Sequence, residues 1–322
     1  MTMTNSLPIL RMNQGDASEA RIYYCAHFVA EALGFFKANG VSVIFTTTES
    51  GGKTIQGGQI PAVLSGEADL TIGGPMVTMK NHEDGGTPLV SFCAAVERNP
   101  WFLAGAIAKD DFKISDLRDT SVIDVGNVGT ASLCFRWLLE SHGLTGTVDV
   151  LPGSGSQVAD FDRVASGEID YALHSLHALA PAIAEGKLAI VTDLAGPTGP
   201  VPWSAYIARP EVVTKHSTAF EGFASAIAQA LGWIRSNTAA SVARVVAPYY
   251  ADYPPAALEL AIDGYQHAKV LAASTAISEA DFNHFAAILR GAGWLTSDVP
   301  YDALVATSLN IKPTTNSRQD AK

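Results

Sequence analysis

The sharpest chemical pair in the chain is a thiol at Cys25 and an imidazole at His27, two residues apart in a turn-like Cys25-Ala26-His27 segment. In a loop the imidazole can approach the thiol, the arrangement a cysteine nucleophile needs once a cation or nearby helix amides lower its pKa. In a strand the two would share a face without forming a pair. A buried structural cysteine fits the same residues. Gly129-Thr130-Ala131-Ser132 opens a helix, so free amides, a hydroxyl and the positive end of the dipole suit a carboxylate, sulfonate or phosphate, or else make a plain N-cap. His174 and His177 lie three apart and share a face if helical. No third ligand is identifiable, so no metal is expected, and a single cleft histidine bonding an acidic ligand is the more economical reading. Arg98, between Glu97 and Asn99, suits a bidentate clamp on an oxyanion, and Trp101 or Trp203 suits stacking on an aromatic or apolar body; solvated hinge residues and packing tryptophans fit as well. Gly51-Gly52-Lys53-Thr54 is not a nucleotide loop, because Thr47 stands where that pattern needs glycine. No cofactor motif is found.

The 322 residues suffice for one large or two ordinary domains. Lys+Arg 21 against Asp+Glu 32 leaves a net charge of −11, which argues against a nonspecific nucleic-acid binder. With 48% hydrophobic and 16% charged residues the profile is that of a compact globular protein. Cys25, Cys93 and Cys134 cannot all pair and are expected as reduced thiols. Met1 to Asp16 has neither the basic start nor the apolar run of an export signal, and no stretch is long and apolar enough for membrane insertion. The expectation is a cytoplasmic product as the sequence stands, periplasmic if a signal was removed. Oligomeric state stays open.

These residues are positioned by two similar series of elements. The first reads as a strand at Arg21 to Tyr24, a helix through Val29 to Asn39, a strand Val41 to Thr46, a helix Ile60 to Leu64 and a strand Asp69 to Gly73. The second has a strand Ser121 to Val125, a helix from Thr130 or Ala131, a strand Val148 to Leu151, a helix Val158 to Ala165 and a strand Tyr171 to Leu173. Apolar runs at Leu89 to Ala95 and Phe102 to Ala108 carry the chain between lobes, and Gly196 to Trp203 returns it before a strand at Ala205 to Ala208. Helices follow over Phe220 to Ser236, Thr238 to Val246, Pro255 to His267 and Glu279 to Arg290, some rejoining the first lobe and others buttressing the hinge. An internal echo supports the duplication. Leu64-Ser65-Gly66-Glu67-Ala68-Asp69-Leu70 recurs 101 residues later as Ala165-Ser166-Gly167-Glu168-Ile169-Asp170-Tyr171, each copy ending a helix, turning on Ser-Gly and opening a strand with Asp. Both aspartates are expected to fix turns. The predicted architecture is α/β: two Rossmann-like lobes with mixed, mostly parallel sheets, a hinge, a cleft between them and extra C-terminal helices. Residues 18–98 and 204–310 form lobe 1 with the C-terminal helices, residues 99–203 form lobe 2, and 311–322 form a flexible tail.

Gly34-Phe35-Phe36 before Gly40-Val41, Ser65 to Asp69, Ile114-Ser115-Asp116-Leu117 and Ser166 to Asp170 together resemble the type II periplasmic-binding-protein fold, and within it the NMT1/THI5-like group of sulfonate, taurine and nitrate receptors and thiamine-precursor proteins. The resemblance covers roughly residues 20 to 300. It implies a small molecule held between the lobes by the loops that follow the strands: Tyr24, Cys25 and His27 in the first, Ser50, Gly51 and Gly52 in the second, Gly74 and Pro75 in the third, Asn127, Gly129 and Thr130 in the second lobe, and His174 at a later strand end. Sulfinate desulfinases of this fold are similar in carrying a nucleophilic cysteine where Cys25 lies. They also use a histidine and an arginine from the next loop, where Thr46 to Gly58 has only Glu49 and Lys53. The thiamine-precursor enzymes use a histidine where Gly74-Pro75-Met76-Val77 stands. The expected function is a solute-binding protein for a small anionic or aromatic organic molecule, partnered by an ABC permease if exported. The alternative is a cytoplasmic hydrolase or lyase using Cys25 as nucleophile and His27 or His174 as proton carrier.

Overall fold

A computed structural model describes residues 7–14, 21–47, 49–50, 53–54, 59–126, 128–307 and 309. The first lobe's sheet has the order β2-β1-β5-β12-β6, built from β1 (Ile9–Asn13), β2 (Ser42–Thr46), β5 (Leu70–Gly73), β6 (Val90–Val96) and β12 (Ser204–Ala208). The strands β3 (Glu49–Ser50) and β4 (Lys53–Thr54) form a separate two-stranded ribbon. The second lobe's sheet, β11-β7-β10-β8-β9, uses β7 (Trp101–Gly105), β8 (Ser121–Asp124), β9 (Asp149–Pro152), β10 (Tyr171–Ser175) and β11 (Ala189–Asp193). The two orders are the same. In each, three strands run parallel and a fourth, β12 or β7, enters antiparallel beside the inner one. That fourth strand comes from the chain's crossing between lobes.

Helices cover the sheets: α1 (Ala26–Ala32), α2 (Phe35–Ala38), α3 (Gln59–Ser65) and α4 (Pro75–Glu83) in the first half, then α5 (Gly129–Ser141), α6 (Gln157–Ala165), α7 (Leu176–Ala184) and the short α8 (Ala195–Thr198) in the second. The C-terminal set is α9 (Pro210–Lys215), α10 (Ser217–Ser236), α11 (Ala239–Val246), α12 (Pro255–His267), α13 (Glu279–Gly291) and α14 (Tyr301–Leu304). β12 and the edge strand β6, whose outer side is met by residues 270–275, are buried along their whole length, which explains their apolar sequences. Behind them Phe36 stacks on Phe223 at 5.1 Å and Phe92 meets Phe220 edge-on at 4.9 Å. Removing one such ring, as in Phe223→Ala, costs about 3–5 kcal/mol.

The opening of lobe 1 differs from expectation. Arg21 to Tyr24 is no strand: Ile22–Tyr24 is a 3-10 turn, closed by Tyr24 N–H to the Arg21 carbonyl at 2.8 Å and Cys25 N–H to Ile22 at 3.0 Å. All three of its residues are buried, so it has no period-two alternation. The first strand is β1, ahead of the expected boundary at residue 18. Its Arg11 and Asn13 are polar, and the pattern becomes intelligible only with their tertiary partners. The helix expected from Val29 to Asn39 begins earlier, with Cys25 as its N-cap, and breaks at Gly34, whose φ of +72° suits glycine. The C-terminal helices do not belong to lobe 1 alone. Residues 270–275 hydrogen-bond along β6 and α10 packs on α1 and α2, but α12 reaches α7 and α13 touches both α4 and α5. The buried Leu176 side chain of α7 fills the space beside Gly264 of α12, so a side chain there would force Leu176 to move. The tail 311–322 lies outside the described residues.

The sequence echo is an echo of hydrogen bonds. Ser65 and Ser166 each return a hydroxyl to the last helical turn, at 3.1 and 3.0 Å, and Gly66 and Gly167 take φ of +82° and +78°. Asp69 then accepts the Arg11 amide of β1 at 2.8 Å, while Asp170 accepts the Ser121 amide of β8 at 2.8 Å. Each carboxylate therefore sets its lobe's inner strand against the strand beside it. Burial raises the Asp69 pKa, but the hydrogen bonds and charge of Arg11 outweigh it and hold the carboxyl below its usual range. Asp69→Ala should cost about 1–2 kcal/mol in urea unfolding at neutral pH. Because the folded pKa is the lower one, this difference should shrink as pH falls through it. An equal loss at acid and neutral pH would contradict the assignment.

Candidate functional site

Parallel strands deliver their loops at their C-terminal ends, and in both lobes those ends point to the junction. Lobe 1 contributes the turn Arg21–Tyr24 and Gly74-Pro75-Met76 after β5; lobe 2 contributes Gly126 and Val128-Gly129-Thr130 after β8 and His174 to His177 at the end of β10 and the start of α7. The two crossings form the floor. Asn99 ties them, donating from Nδ2 to Thr198 Oγ1 at 3.2 Å and accepting the Trp101 amide at 3.0 Å, and Val201 N–H reaches the Glu97 carbonyl at 3.0 Å.

An aromatic cluster fills this floor. The Trp101 ring lies 5.9 Å from His174 and nearly parallel to it, 5.5 Å from Trp203 and 6.3 Å from Tyr23. Tyr23 also meets His177 and Tyr265, each at 5.8 Å. Tyr23 from lobe 1 thus packs against Trp101 and His177 from lobe 2. Nearby, the Thr130 hydroxyl donates to Met76 Sδ, a second contact between the lobes. The backbone of His177 is clasped by the tyrosines that precede and sit on α12: its N–H donates to Tyr265 Oη at 3.0 Å, and Tyr253 donates to its carbonyl.

The electrostatics favour a negative guest. Burial pushes the His174 pKa down to about 4 and that of His177 well below its usual value, and the charge of Arg21 lowers both further. Arg21 itself lies 5.9 Å from the Tyr24 ring centroid. The helices α4, α5 and α7 all begin at the junction, and their N-cap residues Gly74, Val128 and Ser175 make no side-chain cap. Their positive dipole ends therefore lie in the loops after β5, β8 and β10, although α4 opens on Pro75 and the His177 amide of α7 is taken by Tyr265. Asp124, at the end of β8, receives the Ser132 hydroxyl and steadies the start of α5. Trp101 Nε1 is buried and has no hydrogen-bond partner among the described residues.

The expected residues divide accordingly. Gly74, Pro75, Gly129, Thr130, His174 and Trp203 stand at the junction. Tyr24 is there too, though its hydroxyl is paired with Ser204 Oγ at 3.0 Å. Asn99 spends its side chain on the hinge, and the buried Arg98 Nε has no hydrogen-bond partner among the described residues. Ser50 is described only as part of β3, and Gly51, Gly52 and Asn127 lie outside the described residues. Cys25 and His27 are both 1% exposed. Burial pushes the thiol up to about 12 and the imidazole down to about 3. Both sit in the first turn of α1, where residues two apart point to different sides. His27 Nδ1 lies 3.3 Å from Tyr206 Oη, and no hydrogen bond joins it to Cys25 among the described residues. Arg21, Tyr23 and Met76 were not anticipated; the first two were hidden by the strand reading. Among the described residues no cluster of His, Cys, Asp or Glu is able to hold a metal, and no helix is long and apolar enough to cross a membrane.

Comparison with known proteins agrees with this architecture. YtlA of Bacillus subtilis (strain 168), a proposed binding protein, is 22% identical over 298 residues, 91% of this chain and 87% of its own. The periplasmic aliphatic sulphonate binding protein SsuA from Escherichia coli superposes with a TM-score of 0.67 at 15% identity, over 98% of this chain and 99% of its own. The desulfurization enzyme DSZB gives 0.61 at 15% identity, over 94% and 97%. At these identities the structures share a fold. The NMT1/THI5-like family model matches residues 22–240, well over half of the sequence, and the chain belongs to that family.

Proposed function

We propose that this protein is a solute-binding protein that closes its lobes over a small organic anion with an aromatic or apolar body, of the sulfonate, carboxylate or thiamine-precursor-like kind. The observation that carries the reading is the junction itself: Tyr23 of one lobe packs on Trp101 and His177 of the other, and the charge of Arg21 acts on His174 and His177, beside the loops that open α5 and α7. Charge from Arg21 and dipoles from the helices neutralise an oxyanion, the Trp101 indole N–H supplies a donor, and the aromatic rings cover the apolar body. Binding across two lobes couples affinity to closure, because contacts from both sides form only when the hinge is shut. The sulphonate-binding role of SsuA and the binding role proposed for YtlA support the same class of activity. Outside the cytoplasmic membrane, the natural partner of such a receptor is an ABC permease.

Thiol chemistry is the weaker reading. Attack by Cys25 needs the thiolate, and the buried thiol keeps its proton at neutral pH.

Thermal shift and calorimetry should show benzenesulfonate or benzoate stabilising the protein and benzylamine or benzyl alcohol leaving it unchanged. Arg21→Ala should weaken the anion by about tenfold or more, the worth of one charge-assisted hydrogen bond. Equal binding of the neutral or cationic analogues would contradict the proposal. Cys25→Ser should leave anion affinity within about twofold, with neither protein converting benzenesulfinate to sulfite; turnover by the native chain that disappears in the variant would restore the enzyme reading.

A further inference from the structure

His174, the next-to-last residue of β10, has a ring held on three sides. On one, its Nδ1 accepts the backbone N–H of Ser175 at 2.7 Å. An imidazolium carries a proton on each nitrogen, so protonating Nδ1 would set two N–H donors against each other at that distance. The Ser175 hydroxyl lies 3.0 Å from the same Nδ1 and 3.1 Å from His177 Nδ1, so it joins the two imidazoles. Across the ring face, Trp101 lies nearly parallel at 5.9 Å. At the far edge, a Cβ on Gly126 would come within 2.9 Å of Nε2, so the ring occupies space that any other residue would fill. The Gln157 amide nitrogen lies 3.4 Å from Nε2; with Nδ1 already an acceptor, Nε2 carries the proton and the flipped amide presents its oxygen to it.

Among the described residues, the charge that acts on the ring is that of Arg21, and no carboxylate contact favours its charged form. Arg21 brings that charge from lobe 1, and His177 on α7 is itself held neutral by burial. Trp101 on β7, Gln157 on α6 and Gly126 after β8 bring no charge. Asp124 at the end of β8 is engaged by Ser132, and the phenols of Tyr23 and Tyr265 pack around His177.

We infer that His174 is a fixed neutral hydrogen-bond donor of the junction, its tautomer set by the Ser175 amide and its ring position by Trp101 and Gly126, offering Nε2–H to an acceptor atom of the ligand. This deepens the ligand-site reading and rests on it only for the acceptor. Specificity at this point comes from a hydrogen bond instead of a second cation, and anion binding draws no proton onto His174. Gln157, long and exposed, is the group that yields Nε2–H to an incoming oxygen.

Histidine-labelled 15N NMR of the full chain without added ligand tests the claim, with His174→Gln identifying its signals among the eight histidines. The expected pattern is an unprotonated Nδ1 and a protonated Nε2, unchanged from about pH 5 to about pH 8, the window in which an ordinary histidine titrates. The opposite tautomer, or a titration midpoint inside that window, overturns the inference. In Gly126→Ala the ring should be displaced and titrate nearer the usual value of about 6.5; a folded variant with the native signals would contradict the role of Gly126. Because no ligand is present, the result is independent of the anion titration, which decides the binding reading separately.

Discussion

The junction depends on the register of the two antiparallel strands that carry the chain between lobes. Trp101 lies opposite Ser175 where β7 enters beside β10, and Ala205 lies opposite Gly73 where β12 enters beside β5. The chain therefore changes lobes beside the same strand ends that deliver the loops after β5 and β10. Both crossing strands are buried along their length, so their backbone groups have to be met by the ladder, and a slip of one residue would turn Trp101 to the opposite face. Asn99 makes the register rigid by bonding both crossings at once. The aromatic floor and the imidazoles of His174 and His177 follow from that placement.

Burial then determines what this junction can do. Taking a titratable group out of water favours its neutral form, and Cys25, His27, His174 and His177 are all shifted in that direction. A thiol that keeps its proton and an imidazole that refuses one make a poor nucleophile and base. They make good packing and hydrogen-bonding groups. Positive potential comes instead from Arg21 and from the helix starts, which hold a charge without moving a proton. The C-terminal helices add a mechanical element: α12 clasps the start of α7 through Tyr265, and α13 touches both α4 and α5. Any motion of one lobe against the other has to slide along these contacts.

Local chemistry was legible in the sequence; distant partners were not. The Ser-Gly-Glu-x-Asp echo identified the duplicated lobes because a helix stop, a left-handed glycine and a capping aspartate are short-range features. The start of α5 at Gly129 was readable for the same reason. The strand Ile9–Asn13 was not, because Arg11 looks misplaced in a strand until Asp69, 58 residues away, accepts its hydrogen bonds. The apolar run Ile22 to Tyr24 could have been strand or turn, and only its partners decide. Asn99 had the look of a ligand group and serves as a hinge tie. Cys25 and His27 had the right spacing for a catalytic pair, but helical phase turns them apart and burial neutralises both.

Hydrogen–deuterium exchange of the full chain, with and without its tightest-binding anion, tests the central claim most directly. The expected result is slower exchange in 74–77, 126–130 and 174–177 together, since one guest touches the strand ends of both lobes. Slowing confined to a single lobe, or located on the outer edge of the second sheet around 119–121 and 146–149, would contradict it.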